Sequence, residues 1–235
     1  MKYSSRGIAL TYIKQGESSI ISKIFTEEKG LQAFIVKSVR SKKSKKKLSY
    51  FEPLKLLNIN ASFNSKKSLQ YLEDIVIANT IDDPSNKIKK TFIAFFIAEI
   101  TSRVLQENEQ NKALFNFIWE TTSTLYKTKK IDPNFALKYL VDLSLFLGFY
   151  PSKITINNPF FDLENGDFSK KINAKKMFLD KEKSTYLKML LNKQEVIIPQ
   201  DQKTSLLKGL LTYYKLHHYN LDTITSHLVI ESLRK

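Results

Sequence analysis

Short runs of alternating hydrophobic and polar residues, separated by turn residues, occupy the first 80 positions of the chain. The runs lie at 7–13, 18–26, 31–36, 54–60 and 68–73, and they are rich in β-branched and aromatic residues. Such runs are typical of strands that bury one face. Five short strands joined by turns predict a small closed barrel of the OB type, and an open meander is the structural alternative.

From Asp83 onward the hydrophobic positions recur every three or four residues, as in a helix with one buried face. The core-facing residues of the first predicted helix are Ile88, Phe92, Ile93, Phe95, Phe96, Ile100, Val104 and Leu105. A second helix is predicted over residues 112–127. A third is predicted to begin with Asp132 as N-cap and Pro133 in its first position, and to end at Gly148. Later helices are predicted near 181–192, 201–215 and 223–234.

Residues 149–180 interrupt the helical pattern, because proline, asparagine and glycine residues break its period. Short β-like pieces lie between these breaks, so the segment is expected to form a compact insertion. The predicted fold class is therefore α+β. A five-stranded OB-type barrel over residues 1–80 is followed by an all-helical domain over residues 81–235, which carries the insertion.

Positive charge is concentrated between the third and fourth predicted strands. Residues 37–47 hold seven basic residues and no acid: Lys37, Arg40, Lys42, Lys43, Lys45, Lys46 and Lys47. The formal net charge of the chain is +15, so this basic segment supplies about half of it. Lysine and arginine residues that release counterions from phosphates supply most of the non-specific affinity for nucleic acid. The segment therefore predicts binding to a polyanion, and a solvated loop that only maintains solubility is the alternative.

Lysine predominates among the basic residues, since only 4 of the 38 are arginine. Lysine lacks the planar fork with which arginine reads guanine, so weak sequence preference is expected. The chain has no cysteine, which excludes disulfides and thiolate zinc sites and fits a reducing compartment. Its most apolar stretch, 92–98, is far shorter than a bilayer requires, and no secretory signal opens the chain.

The case for an enzyme is weak. The histidines His217, His218 and His227 have no carboxylate at ligand spacing, and no phosphate-binding glycine loop is present. We therefore expect a protein that is not an enzyme and that uses neither a metal nor a cofactor.

The order of several short segments carries further information. Four of these segments lie in the N-terminal third: Gly7 to Leu10, Gly16 to Ile21, Phe25 to Gly30 and Val36 to Arg40. The others lie downstream: Phe95 to Ile100, Asn111 with Leu114-Phe115, Gly148 to Pro151, and Tyr214 to His217 with Leu228 to Leu233. This order resembles the RecO family of bacterial DNA repair and recombination-mediator proteins. In one segment Ser38 stands where the family usually has glycine.

One departure from the family pattern concerns zinc. Many RecO proteins carry four zinc-binding cysteines after the segment that here ends at Pro151, whereas this chain has Asn157, Asn158 and Asp162 in that region. The resemblance thus implies a zinc-free branch, in which the insertion is zinc-ribbon-like but free of cysteine and packs through apolar side chains. The expected packing residues are Phe160, Phe161, Leu163 and Phe168.

The resemblance also implies a function. It implies a cytoplasmic, nucleoid-associated protein that binds single- and double-stranded DNA, anneals complementary strands coated by single-strand-binding protein, and with RecR helps to load RecA. We expect Lys37 and Arg40 to contact the DNA, with the lysines of 42–47 as a looser phosphate-binding set. An OB-type RNA-binding protein is the alternative, and an adaptor that binds only proteins is a third reading.

Two more sets of residues are candidate binding positions. The aromatic residues nearest the basic segment, Phe34, Tyr50 and Phe51, would stack on bases or lie buried in the barrel. By resemblance, the helical domain offers an apolar groove with a basic rim to the C-terminal tail of single-strand-binding protein, and ordinary core packing is the alternative. The residues of that groove would be Leu206, Leu207, Lys208, Leu210 and Leu211.

Overall fold

The computed structural model describes most of the 235-residue chain, namely residues 1–39, 47–78, 83–222 and 224–226. The chain divides into two compact units, Met1–Ile131 and Asp132–Lys235. The predicted division fell at residue 80, whereas the first unit contains two helices in addition to the barrel. Local sequence pattern separates strands from helices, but it does not reveal which helices pack on the strands.

The first unit contains a closed barrel of five strands. These are β1 (Lys2–Gln15), β2 (Ser19–Thr26), β3 (Gly30–Val36), β4 (Leu56–Ser62) and β5 (Leu69–Ile77). The strand order is β1-β2-β3-β5-β4, and β4 pairs with β1 to close the barrel. Only β3 and β5 run parallel in this barrel. This order confirms the predicted OB-type barrel, because in a meander β3 would pair with β4.

Alternate residues of the strands fill the barrel interior. Ile20, Ile24 and Phe34 are each fully buried there. A 3₁₀ helix, Leu48–Phe51, connects β3 to β4 and adds the ring of Phe51 to the same core. The barrel interior is thus filled from one side of each strand, as the period-2 geometry of a strand requires.

Helices α1 (Lys87–Val104) and α2 (Lys112–Lys127) complete the first unit. The buried side of α1 includes Ile93, Phe96 and Ile100, as predicted. Two predicted core residues are exposed, however, with 67% of Ile88 and 46% of Phe95 accessible to solvent. The buried set also includes Ile97 and several smaller or polar side chains, namely Lys90, Ala94, Ala98 and Thr101.

The connection between α1 and α2 lies along β3. Leu31 forms a parallel bridge with Glu107, and the Asn108 N–H donates to the Leu31 carbonyl at 3.2 Å. Gly30 has φ of +65°, and a Cβ atom there would approach the Glu109 carbonyl oxygen more closely than real Cβ atoms do. Glycine is therefore required at this turn both by its backbone conformation and by the covering segment.

The second unit contains three helices and the insertion. The helices are α3 (Phe135–Phe146), α4 (Lys181–Leu191) and α5 (Gln200–Leu216). Helix α3 begins two residues later than predicted, since Asp132 accepts a hydrogen bond from the Asn134 N–H (2.7 Å) in the turn before it. Residues 223 and 227–234 of the last predicted helix lie outside the described residues. None of the helices in the described part of the chain has the length and hydropathy to cross a bilayer.

The insertion forms a three-stranded sheet in the order β7-β6-β8. Its strands are β6 (Phe160–Asp162), β7 (Asp167–Ser169) and β8 (Phe178–Leu179). Phe161, Leu163 and Phe168 are buried as predicted, and Phe160 is half-buried. The Phe161 ring lies 5.0 Å from that of Phe168 and 5.3 Å from that of Tyr213 on α5, so aromatic contacts join the sheet to that helix.

Candidate nucleic-acid interface

The structure describes the two ends of the basic segment. Lys37 follows β3 and Lys47 precedes the 3₁₀ helix, and both side chains are exposed. The other predicted contacts lie outside the described residues: Arg40, Lys42, Lys43, Lys45 and Lys46. The structure therefore fixes where the segment leaves and rejoins the barrel.

The segment leaves the barrel next to the turn between β1 and β2. Ile20 pairs with Val36, so residues 16–18 of that turn lie at the end of β3 from which the segment departs. OB folds bind oligonucleotides on the face of β2 and β3, between the β1–β2 and β4–β5 loops. The basic segment thus starts at one edge of the face that this fold uses for ligands.

An apolar row crosses the outside of this face. Ile13, Ile21, Ile35 and Tyr71 stand directly opposite one another on β1, β2, β3 and β5. Directly paired residues lie on the same side of a sheet, and the neighbouring residue Phe34 faces the interior, so these four side chains face outward. Ile13 is 63% exposed and Tyr71 is 49% exposed. We call these four residues the outer row.

Lysines flank the outer row. Lys37 lies two residues beyond Ile35, at the end of β3, and is exposed. At the other end, the Lys67 ammonium lies 5.9 Å from the centre of the Tyr71 ring. Aromatic side chains on which bases stack, together with cations that hold phosphates, are the parts from which single-strand-binding surfaces are built, and Tyr71 is the aromatic member of the outer row.

The predicted stacking residues are not on this surface. Phe34 and Phe51 are completely buried in the barrel core, and Tyr50 is half-buried against it. The burial alternative therefore holds for the two phenylalanines. Sequence reasoning missed Tyr71, because it considered aromatics close to the basic segment along the chain. The alternation of β5, with Leu72 in the core and Tyr71 outside it, was the available signal.

The residues of the predicted groove belong mainly to the core of the second unit. Leu206, Leu207 and Leu210 are at most 4% exposed. Leu211 is half-buried, and only Lys208 is exposed. Core packing accounts for the three buried leucines, and they present no open apolar surface to a partner in this structure.

A different part of the barrel carries paired charges. The Arg6 guanidinium donates to both carboxylate oxygens of Glu27, at 2.9 and 2.8 Å, and also to the side-chain oxygen of Asn116 on α2 at 2.8 Å. This bond lowers the pKa of Glu27 and raises that of Arg6. Arg6 also lies over the rings of Phe115 and Trp119, at 5.3 and 4.9 Å, so it anchors α2 to the barrel.

The cavity beside Arg6 is unsuited to a polyanion. It has a volume of about 350 Å³, and its lining includes the carboxylates of Glu27, Glu28 and Asp74. Glu27 and Glu28 are paired with Arg6 and Lys112, so together with Asp74 the lining offers no excess of positive charge to phosphates. The electrostatic contrast favours the outer row as the nucleic-acid surface.

The insertion does not fit a zinc site. Asp162 is buried, but its carboxylate already accepts from the N–H groups of Glu164 (2.8 Å) and Asn165 (3.0 Å), with the Lys176 ammonium at 3.5 Å. Within the described ranges, no three His, Asp or Glu side chains converge as metal ligands would.

Comparisons with known proteins agree with this architecture. The family model described as recombination protein O N terminal matches residues 1–81, and the one described as recombination protein O C terminal matches residues 85–222. The DNA repair protein RecO of Flavobacterium psychrophilum is 31% identical over 240 residues, covering 100% of this chain and 99% of the relative. That of Flavobacterium johnsoniae is 30% identical over 223 residues and 92% of each chain.

A more distant relative aligns over nearly the same length. The DNA repair protein RecO of Azobacteroides pseudotrichonymphae is 26% identical over 239 residues, which is 99% of each chain. The family models together cover both the barrel and most of the helical region. The resemblance seen in the sequence is thus confirmed, and the chain belongs to the RecO family of DNA repair proteins.

Proposed function

We propose that this protein is a DNA-binding recombination mediator. It binds single- and double-stranded DNA, anneals complementary strands coated by single-strand-binding protein, and with RecR helps to load RecA at the nucleoid, in the cytoplasm. The observation that carries the proposal is the outer row, a partly exposed apolar row bordered by lysines, at whose edge the basic segment leaves the barrel.

Annealing requires this combination of groups. Two strands repel each other through their phosphates, and a cluster of lysines screens that repulsion at short range. The bases must remain free to pair, so a surface that holds them by stacking and not by specific hydrogen bonds suits the task. No covalent bond is made or broken, so the proposed activity requires no catalytic residue and no cofactor.

The direct test is an annealing assay on DNA coated by the cognate single-strand-binding protein. We expect the protein to accelerate annealing. A variant with its five lysines of 42–47 replaced by glutamine should bind DNA of all sequences more weakly. The slope of the logarithm of its DNA-binding constant against the logarithm of salt concentration should also become shallower, by about 0.7 per lost contact on single strands. Unchanged affinity and slope in this variant would contradict the role of the basic segment.

A matched control removes the same charge elsewhere. The control variant replaces five exposed lysines distant in sequence from the segment: Lys127, Lys129, Lys130, Lys181 and Lys193. It has the same net charge as the test variant, so a loss confined to the test variant identifies a local contact and not a general effect of charge. Equal losses in both variants would mean that net charge alone attracts DNA.

The same assays discriminate the other functions. Stronger binding to RNA than to DNA of equal sequence, without faster DNA annealing, would favour the RNA-binding alternative. If the protein retains neither nucleic acid at physiological salt, the third reading, an adaptor that binds only proteins, would be favoured.

A further inference from the structure

A second recess lies at the Tyr71 end of the outer row, beside the connection between β4 and β5. It has a volume of about 520 Å³, and its lining includes Phe63, Asn64, Lys67, Gln70 and Tyr71. We call it the loop cleft. Its volume lies within the range of small-ligand sites in proteins. In contrast to the cavity beside Arg6, its lining contains no carboxylate.

The loop that forms this cleft is held in place by a buried glutamine. Gln70 is only 3% exposed, and its amide group donates to the carbonyl oxygens of Asn64 (3.1 Å) and Lys67 (2.6 Å). Its side-chain oxygen accepts from the Asn64 N–H at 2.8 Å. The N–H of Phe63 also donates to the Met1 carbonyl at 2.8 Å. The cleft is therefore preformed, which reduces the entropic cost of binding.

The two aromatic rings of the cleft each have an ammonium group nearby. Lys67 lies 5.9 Å from the ring centre of Tyr71, and Lys29 lies 5.5 Å from that of Phe63. An aromatic face that attracts a cation also stacks on a nucleobase. When a base takes the place of the ammonium on the ring, the lysine remains close enough to bind the adjoining phosphate. The exposed side chains of Asn64 and Ser65 add polar groups for the base edge.

We propose that the loop cleft takes one unstacked base of single-stranded DNA, stacked on Tyr71, with the neighbouring phosphate bound by Lys67. This inference rests on the proposed DNA-binding function and adds to it a preference for single strands. A base inside a duplex is paired and stacked on both sides, so it cannot enter the cleft unless it is extruded.

The test compares single-stranded DNA with duplex DNA of the same length, measured by fluorescence anisotropy at fixed salt. Tyr71→Ala should weaken single-strand binding by roughly 5- to 150-fold, the range of losses for removing one stacking aromatic. Its duplex affinity should change by less than about twofold, and Tyr71→Phe should retain single-strand affinity because the ring remains. A single 2-aminopurine base in the oligonucleotide should change its fluorescence with wild-type protein and not with Tyr71→Ala.

A lysine variant separates stacking from phosphate binding. Lys67→Gln should make the salt dependence on single strands shallower by about 0.7, whereas Tyr71→Ala should leave that slope unchanged. Tyr186→Ala, which removes a half-buried tyrosine from α4, is the matched control and should not alter binding. Thermal unfolding of each variant checks that the barrel is intact, as expected for a side chain that is 49% exposed.

The outcomes separate this inference from the proposed function. If wild-type protein binds DNA but Tyr71→Ala retains full single-strand affinity, or loses single-strand and duplex affinity equally, the loop cleft is not a base site. If wild-type protein binds neither DNA, the proposed function fails, and this inference fails with it.

Discussion

The barrel has one side that is covered by protein and one that is open. The outward side chains of the covered side contact other residues, whereas those of the open side do not have such a cover. On the covered side, α2 and the segment before it provide partners: the Phe115 ring lies against Phe25, and the side-chain oxygen of Asn116 accepts from Arg6. On the open side, the outer row faces solvent. Among the described residues, no acid forms an ion pair with the flanking lysines Lys37 and Lys67. The same barrel thus uses one side for stability and leaves the other for a ligand.

The largest expected effect on stability is at the turn on the covered side. Gly30→Ala should destabilise the protein by about 2–5 kcal/mol. Part of this is the cost of a left-handed backbone conformation for alanine, and the remainder comes from displacing the backbone at Glu109. Urea unfolding measures the change. Gly16→Ala is the control, because Gly16 has φ of +60° but a Cβ there would meet nothing within 4 Å. Equal losses in the two variants would show that the covering segment does not constrain Gly30.

A smaller effect is expected at the Arg6 and Glu27 pair, and it depends on pH. The pKa of Glu27 is lowered in the folded state, so the unfolded state binds its proton more readily. The stabilisation is therefore present above the ordinary glutamate pKa and is lost as pH falls through the lower folded-state pKa. Glu27→Gln should cost about 1 kcal/mol at pH 7, because the pair is partly exposed.

The same variant should lose less stability on acidification than the wild-type protein does. Chemical denaturation at pH 7 and at progressively lower pH measures both effects. An identical decline in the two proteins would show that this carboxylate does not contribute to acid sensitivity.

The smallest effect on stability is expected on the open side. Ile13→Ser should change the free energy of unfolding by no more than about 0.5 kcal/mol, since the side chain is 63% exposed. It should nevertheless weaken single-stranded DNA binding, because it removes one member of the outer row. Val76→Ser is the matched control: Val76 is 52% exposed and lines the acidic cavity near Arg6. Similar DNA affinities for the two variants would contradict the distinction between the sides.

Sequence pattern predicted the strands well and their partners less well. The run at 31–36 became β3 (Gly30–Val36), because alternation follows directly from burying one face of a strand. The parallel pairing of β3 with β5, which brings Ile35 beside Tyr71, is a tertiary contact across 36 positions of the chain. Local pattern contains no information on that register, so the outer row could not be read from the sequence.

Local pattern is also insufficient to predict which side chains of a helix are buried and which residues of a charged segment contact a ligand. Helical spacing predicts Ile88 and Phe95 in the core, yet both are exposed. Helix α1 buries small and polar side chains along with large ones, and spacing alone does not select among them. The position of the basic segment between strands was correctly predicted. Its individual DNA contacts, including Lys37 and Arg40, remain predictions.

The insertion is held together by aromatic packing, so its stability responds to other conditions than that of an insertion built on zinc-bound cysteines. Sheet and helix are joined through Phe161, Phe168 and Tyr213, and the chain contains no cysteine. Oxidants that attack thiolates therefore have no target in it, and there are no thiolate ligands from which a chelator would extract zinc. Apolar contacts instead respond to temperature and cosolvents. We therefore expect that neither a chelator nor an oxidant of thiols unfolds the insertion.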